Sequence, residues 1–405
     1  MWPTSRLREE GQTEPRAWGQ RIAVASTPVK SDEPRARRTS GSVLSHIDRR
    51  QRLREVLRAE DLDALLVTDL INIRYLTGFT GSAAALWVAA GDGPEEKATV
   101  LCTDGRYRTQ AAAQVPDLRA LIDRRYGAAL VAHAPAGRAG FESHVVTVDG
   151  FDKLAEAATD VELVRAPNRI EKLREVKDDS EVLLLERACA AADTALAALI
   201  ETGGIRPGRT EREVARDLEN LMAEHGADGP SFETIVAAGP NSAIPHHRPT
   251  GAMLAAGDFV KIDFGALVAG YHSDMTRTLV LGSAAPWQQE IHELVLTAQA
   301  AGRAALAPGA SLKNVDAAAR DVITAAGYGE NFGHGLGHGV GLQIHEAPGI
   351  GSTATGTLLA GSAVTVEPGV YLPDRGGVRI EDTLVVRPDG PELLTRFPKE
   401  LIVID

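Results

Sequence analysis

A chain of 405 residues with 44% hydrophobic content can bury two or three cores. Its 43 basic and 55 acidic residues leave a net charge of −12 with no dense basic run, which argues against nucleic acid as a partner. Only two cysteines occur, Cys102 and Cys189, far apart and outside any CxxC spacing; neither a disulfide framework nor a thiolate metal site is expected, and a reducing cytoplasmic location fits. The absence of any apolar run of about 18 residues argues against a membrane span.

Residues 1–42 hold eight basic and five acidic side chains among scattered Pro, Ser, Thr and Gly. So little apolar surface does not offset the entropy of ordering, and a disordered tail is expected, with a targeting or docking peptide as the alternative. Ile22–Ala25 is too short for the apolar centre of a secretory signal.

Order is expected from Ser45. Ile47, Leu53, Val56 and Leu57 recur at helical spacing, which predicts an amphipathic helix over 46–59. Strands are expected within 63–69, 83–89, 98–103 and 145–148, and helices over 108–114 and 151–159; this alternation points to an α/β domain. The charged, apolar-poor stretch after Ala166 reads as a linker, assigned to residues 169–179, between domains at 43–168 and 180–405. The second domain opens with a helix over 181–201, and Thr210 with Glu213 forms a capping-box pattern that starts another. Helices over 286–306 and 311–326 precede strands separated by Gly and Pro, so this half reads as α+β.

Asp263, Asp274, His338, Glu367 and Glu381 occur in order through this half. Four hard carboxylates and one imidazole suit two divalent ions such as Mn²⁺, which can make water nucleophilic at neutral pH. Asp263 and Asp274 lie on two strands joined by a turn expected at Val268–Ala269. A constant index sum then makes them face each other or nearly so, an arrangement of like charges that wants a cation. Alternation places Arg379, Glu381 and Thr383 on one strand face, where Arg379 can orient a ligating carboxylate. In Gly333–Glu346 three histidines stand among five glycines. Glycine disfavours helix, so His334 and His338 are expected on one face of extended chain. A phosphate-binding loop is excluded, because neither GK[ST] nor GxGxxG is present.

The strings KIDFG, SDMTRT, HGLGHGVGLQIHE, VEPGVYLP and GVRIED, in that order, resemble the proline-specific metallopeptidases of the pita-bread fold, the prolidases and aminopeptidase P. NIRYLTGFTGSAAALWV and TDGRYRTQAA resemble that family's creatinase-like N-terminal domain, so the likeness spans about residues 45–405. The resemblance implies an α/β creatinase-like N-terminal domain followed by an α+β pita-bread catalytic domain, and a homodimer. It also implies two divalent ions, Mn²⁺ or else Co²⁺ or Zn²⁺. Asp263 would ligate one ion, His338 and Glu367 the other, and Asp274 and Glu381 both. A hydroxide bridging the ions would attack an Xaa-Pro peptide bond, with Glu367 handling its proton. His246 and His345 would hold the scissile peptide and polarise its carbonyl. His334 would line the proline pocket, with Tyr371 and Arg379 around it. His247 competes with His246 for its role, and Gln343 stands where the family commonly has an acid.

The substrate expected is a short proline-containing peptide. An Xaa-Pro dipeptidase is the leading reading and aminopeptidase P the second. A binding protein or creatinase-type enzyme on the same fold is the third; loss of a ligand would mark it, and all five positions are filled.

Overall fold

Ser45 caps the first helix, its hydroxyl accepting from Asp48 N at 3.2 Å while the Asp48 carboxylate accepts from Ser45 N at 2.8 Å. The computed structural model describes residues 45–91, 93 and 96–405; the expected tail, 1–42, lies outside the described residues. The capped helix is α1 (His46–Ala59), followed by β1 (Ala64–Val67), α2 (Leu70–Thr77), β2 (Ala84–Ala89), β3 (Val100–Thr103), α3 (Arg108–Gln114) and β4 (Arg119–Ile122). Then come α4 (Tyr126–Ala132), β5 (Gly137–Phe141), α5 (Val148–Ala157), β6 (Val161–Arg165) and α6 (Arg169–Arg174). The strands form one mixed sheet in the order β4-β3-β2-β1-β5-β6.

Two expectations change here. Val145–Val148 is no strand: Val145 N and Val146 N both donate to Glu142 O in a turn, and Thr147 Oγ1 caps α5 by accepting from Gly150 N. Val148 is 78% exposed, so its apolar character reports no burial. The stretch expected as a linker contains α6, which buries Ile170 and Arg174. That helix is amphipathic over too few residues for periodicity to reveal it.

The second half contains two similar groups. The first is α7 (Asp179–Glu201), α8 (Glu211–Glu224), β7 (Gly229–Pro230), β8 (Ile235–Ala238), β9 (Phe259–Phe264), β10 (Ala266–Val268), β11 (Tyr271–His272) and β12 (Met275–Leu281). The second is α9 (Pro286–Ala304), α10 (Leu312–Ala325), β13 (Gly337–Gly339), β14 (Glu346–Ile350), β15 (Ala363–Val366), β16 (Gly369–Leu372), β17 (Gly376–Arg379), β18 (Asp382–Val385) and β19 (Glu392–Leu393); the last strand, β20 (Val403–Ile404), returns to the first group and pairs parallel with β12. In each, two helices back antiparallel strands: Leu196, Leu218 and Ile262 share one core, and Val295, Ala319 and Val366 another. A further cluster joins Leu53 and Ile73 to Leu185 and Val340, so the N-terminal sheet's helices and the second half are packed together. Among the described residues no helix is long and apolar enough to cross a membrane.

Register decides what the acids face. Val268 pairs with Tyr271 and Leu267 with His272, so the turn is Ala269–Gly270, one residue beyond the expected position. Both turn residues have positive φ, 48° and 81°, which matches the strand twist of a two-residue hairpin and favours glycine. Arg74 donates to Ala269 O at 2.7 Å, and a Cβ on Gly270 would stand 2.3 Å from its guanidinium. Asp263 is consequently opposite Thr276, not Asp274. The acids directly opposed are the other pair: Val366 pairs with Asp382 and Gly369 with Arg379, and the index sum common to both pairings puts Glu367 across from Glu381.

Candidate metal centre

The face of β12 explains how the first two acids still meet. Thr276 lies opposite Asp263, and Asp274 is two residues before Thr276, so all three point the same way. Thr276 Oγ1 donates to Glu381 Oε2 at 2.7 Å and accepts from Arg379 Nε at 3.0 Å, which ties the first group of strands to the second. Arg379 also donates to the Asp263 carboxylate and, at 2.7 Å, to the Tyr371 hydroxyl. The expected partnership of Arg379 with a carboxylate is present, with Asp263 as the carboxylate.

Of the glycine-rich segment expected to be extended, Gly337–Gly339 forms the strand β13, flanked by β14 and β15, while 341–345 bends. Close approach is the reason for the glycines of β13: a Cβ on Gly337 would lie 2.1 Å from Thr365 O, and one on Gly339 would lie 2.1 Å from Ala347 O. His338 N donates to Thr365 Oγ1 at 3.0 Å, and its ring Nδ1 is 3.0 Å from Gly339 O. A carbonyl only accepts, so Nδ1 carries a proton and Nε2 is left to face Asp274 Oδ2 and Glu367 Oε1, each at 3.5 Å. That is how a metal-ligating histidine is oriented. Ligand atoms of Asp274, His338 and Glu381 lie within 4.8 Å of one another.

The electrostatics call for cations. Burial, together with neighbouring Asp274, Glu367 and Asp263, pushes Glu381 well above the carboxylate range. Burial, outweighing His338 and Arg379, takes Glu367 up to about 7, and burial with Asp263 takes Asp274 up to about 6. Burial disfavours a charged His338, yet Asp274 and Glu367 raise it to about 9. Asp263 Oδ1 and Glu381 Oε1 are buried with no hydrogen-bond partner. Unpaired oxygens among crowded acids fit divalent cations bound by hard oxygen and imidazole donors.

All four acids and the His338 imidazole line one cavity of 470 Å³, together with His246, His334, His345 and Arg379. His246 and His247 both line the cavity but now separate: His247 Nε2 is held 2.8 Å from Glu211 Oε2, in a buried contact, whereas His246 is exposed. His334 Nδ1 donates to Gly335 O at 2.8 Å, so its Nε2 accepts from the Tyr371 hydroxyl, also at 2.8 Å. Burial and the Arg379 charge lower His334 to about 4, so its ring is neutral at pH 7.

Sequence reasoning missed Thr276 and Lys261. Lys261 is fully buried on β9 and donates to Ile244 O at 2.6 Å and Pro245 O at 3.3 Å, under the loop that carries His246. Period 2 was the available signal, since each lies two residues from a candidate ligand on a strand otherwise rich in apolar residues.

Buried acids around a cavity on two helix-backed sheets define a metal-dependent hydrolase. Comparison with known proteins narrows the class. Residues 184–388 match Metallopeptidase family M24, and residues 49–176 match the Creatinase/Prolidase N-terminal domain. The chain belongs to metallopeptidase family M24 and has its pita-bread fold behind a creatinase-like N-terminal domain. It is 40% identical over 361 residues to the uncharacterized peptidase YqhT of Bacillus subtilis, covering 87% of this chain and 99% of that protein. Among solved structures it resembles an Xaa-Pro dipeptidase from Bacillus anthracis, with TM-score 0.83 and 38% identity over 89% of this chain and 100% of that one. It also resembles an X-Pro aminopeptidase from Thermotoga maritima, with TM-score 0.79 and 32% identity over 88% and 99%.

Proposed function

We propose that this chain is an Xaa-Pro dipeptidase that hydrolyses the bond before proline in dipeptides. The observation that carries the reading is the convergence of Asp263, Asp274, His338, Glu367 and Glu381 with two unpartnered carboxylate oxygens at one cavity; the likeness to a dipeptidase along nearly the whole chain supports the substrate class. Asp263 would hold one ion, His338 and Glu367 the second, and Asp274 and Glu381 would reach both. Mn²⁺ is the ion proposed, with Co²⁺ and Zn²⁺ as alternatives of similar donor preference. When bound, the ions supply Lewis acidity and lower the pKa of water.

The chain's own residues do the rest. Glu367 takes a proton from the attacking water at its carboxylate and passes one to the leaving prolyl nitrogen. His345 and His246 donate hydrogen bonds to the scissile carbonyl oxygen as charge develops there. Burial and the neighbouring His338 and His246 lower His345 from its ordinary value, so it acts as a neutral N–H donor. His334, neutral and fixed through Tyr371 and Arg379, walls the space for the proline ring beside Phe332, whose ring meets it edge-on at 5.0 Å.

The likeness to an X-Pro aminopeptidase supports a second reading, release of an N-terminal residue from longer Xaa-Pro peptides. A panel of Leu-Pro, Gly-Pro and an Xaa-Pro-Pro tripeptide, assayed after chelation and re-addition of single metals, separates the two. Turnover confined to the tripeptide would sink the dipeptidase reading, and turnover undiminished by chelation would sink both. The family resemblance also carries a homodimer into the proposal, and the cysteine usage a cytoplasmic location, which sedimentation and cell fractionation would check.

A further inference from the structure

Among the described residues the imidazole of His345 has no hydrogen-bond partner, and the residue is exposed at the cavity. Its one ring contact is edge-on with His338, 4.5 Å between centroids, and where the ring stands against His338 is set by the backbone that carries it, the turn 341–346. The next residue, Glu346, folds back under that turn. Its Oε1 accepts from Gln343 N at 3.0 Å and from Arg174 at 2.6 Å, and its Oε2 accepts from Lys177 Nζ at 3.0 Å. The same Arg174 nitrogen donates to Gln343 Oε1 at 2.7 Å, and the other terminal nitrogen to Asn72 Oδ1 at 2.8 Å. The side chains of Arg174, Lys177 and Glu346 are only 3%, 1% and 5% exposed. A Cβ on Gly341 would stand 2.8 Å from Glu346 Oε2, so glycine is what admits the carboxylate. On its other side the turn is fixed by His272 N, which donates to Gly341 O at 2.9 Å.

A buried ion pair is weak evidence for stability, because apolar residues of similar volume often do as well. What a guanidinium adds is direction: its planar fork fixes several acceptors at once. Here two of those acceptors belong to the turn and one to α2 of the N-terminal sheet's layer. We propose that Arg174, helped by Lys177, is a positioning residue that clasps Glu346 and Gln343, fixes the turn 341–346 and so aims His345 at the scissile carbonyl. The clasp rests on the reading of His345 given above. It gives the segment between the two halves a part in the reaction, although none of it lines the cavity.

The test uses the full chain loaded with Mn²⁺, with Arg174→Met made alone and on a His345→Ala background. Arg174→Met alone should lower kcat on Leu-Pro by about 10- to 100-fold, the scale of a ~1 Å misplacement. KM should stay within about twofold and metal per chain should not change, since positioning rather than binding is lost. On the His345→Ala background the same substitution should cost nothing more. Amide exchange should quicken in 341–346 and stay unchanged in β9 and β12. Arg174→Lys should recover part of the loss. If Arg174→Met does not fold, Glu346→Gln, which keeps volume, is read in the same comparisons. Equal losses on both backgrounds, or loss of metal, would show a general structural role and overturn the clasp. A falling kcat for His345→Ala with none for Arg174→Met overturns the clasp alone. No effect of His345→Ala overturns the role of His345 and the clasp with it.

Discussion

Asp274→Asn should make the chelated protein more stable than the wild type and the metal-loaded protein less stable. Asp274 is 5% exposed, and burial with the Asp263 charge raises its carboxyl to about 6 against an ordinary 3.8. With the folded value above the unfolded one, ionisation is penalised in the fold. The penalty is absent below about pH 3.8, grows as pH rises to about 6, and is complete above that. At about 1.4 kcal/mol per pH unit this interval amounts to about 3 kcal/mol at pH 7.5. That interval already includes the favourable contact with His338 Nε2, 3.5 Å away, so Asn, which removes the charge, should gain about 3 kcal/mol. A gain of about 3 kcal/mol raises Tm by about 6 °C, at the lower end of the scale for chains larger than small domains.

Metal should reverse the order. A ligand at a hundredfold excess over Kd adds about 2.7 kcal/mol per site, and the variant, short of one charged oxygen between two ions, should gain little of it. Calorimetric scans of both proteins in chelator and in Mn²⁺, with Leu-Pro turnover on the same samples, show whether the curves cross. A variant less stable than the wild type under both conditions would refute the charge-crowding argument. Near-normal turnover would refute the role of Asp274.

Three other outcomes are expected. Lys261→Met frees the carbonyls of Ile244 and Pro245 beneath His246, so kcat should drop by about 10-fold through misplacement. Metal content should be kept and Tm unchanged or higher, because burial and Arg379 already press the ammonium well below its ordinary pKa; lost metal would contradict this. Gly337→Ala drives a Cβ against Thr365 O and should cost about 1–3 kcal/mol as overpacking does, with lower metal per chain; an unshifted Tm would contradict the close approach. Burial and Arg277 lower His292 to about 4 from 6.5. Its contribution is complete above pH 6.5 and declines as pH falls toward 4, by about 3 kcal/mol in all; His292→Gln should flatten that part of the stability–pH curve, and an unaltered slope would refute the assignment.

Capping and long periodicity made the helices legible. Thr210 with Glu213 forms the box that opens α8, Ile47, Leu53, Val56 and Leu57 recur at helical spacing along α1, and α7 extends over 23 residues, enough turns for its apolar face to show. Short elements escaped because their signal is tertiary. The helix α2 is eight residues with apolar side chains on most sides, and α6 is recognisable only by what buries Arg174. His246 and His247 look alike in sequence, and what separates them is Glu211, 35 residues upstream of the first, which occupies one of them.

The site was legible for a different reason. Donor chemistry selects carboxylates and imidazole regardless of fold, and strand parity survives the error that register suffered. The hairpin pairs with an index sum two greater than expected, since the turn needs positive φ at Ala269 and Gly270. A shift of one position in each strand changes which residue is opposite, but preserves which residues share a face. Asp263 thus kept Asp274 on its own side of the sheet while exchanging it for Thr276 as a direct neighbour. The exchange is favourable chemically: a hydroxyl between the acids donates to Glu381 and accepts from Arg379, where a second carboxylate could only have repelled. Among the described residues opposed acids remain only at Glu367 and Glu381, and there burial holds both carboxyls above their ordinary range, which is the condition a pair of cations would relieve.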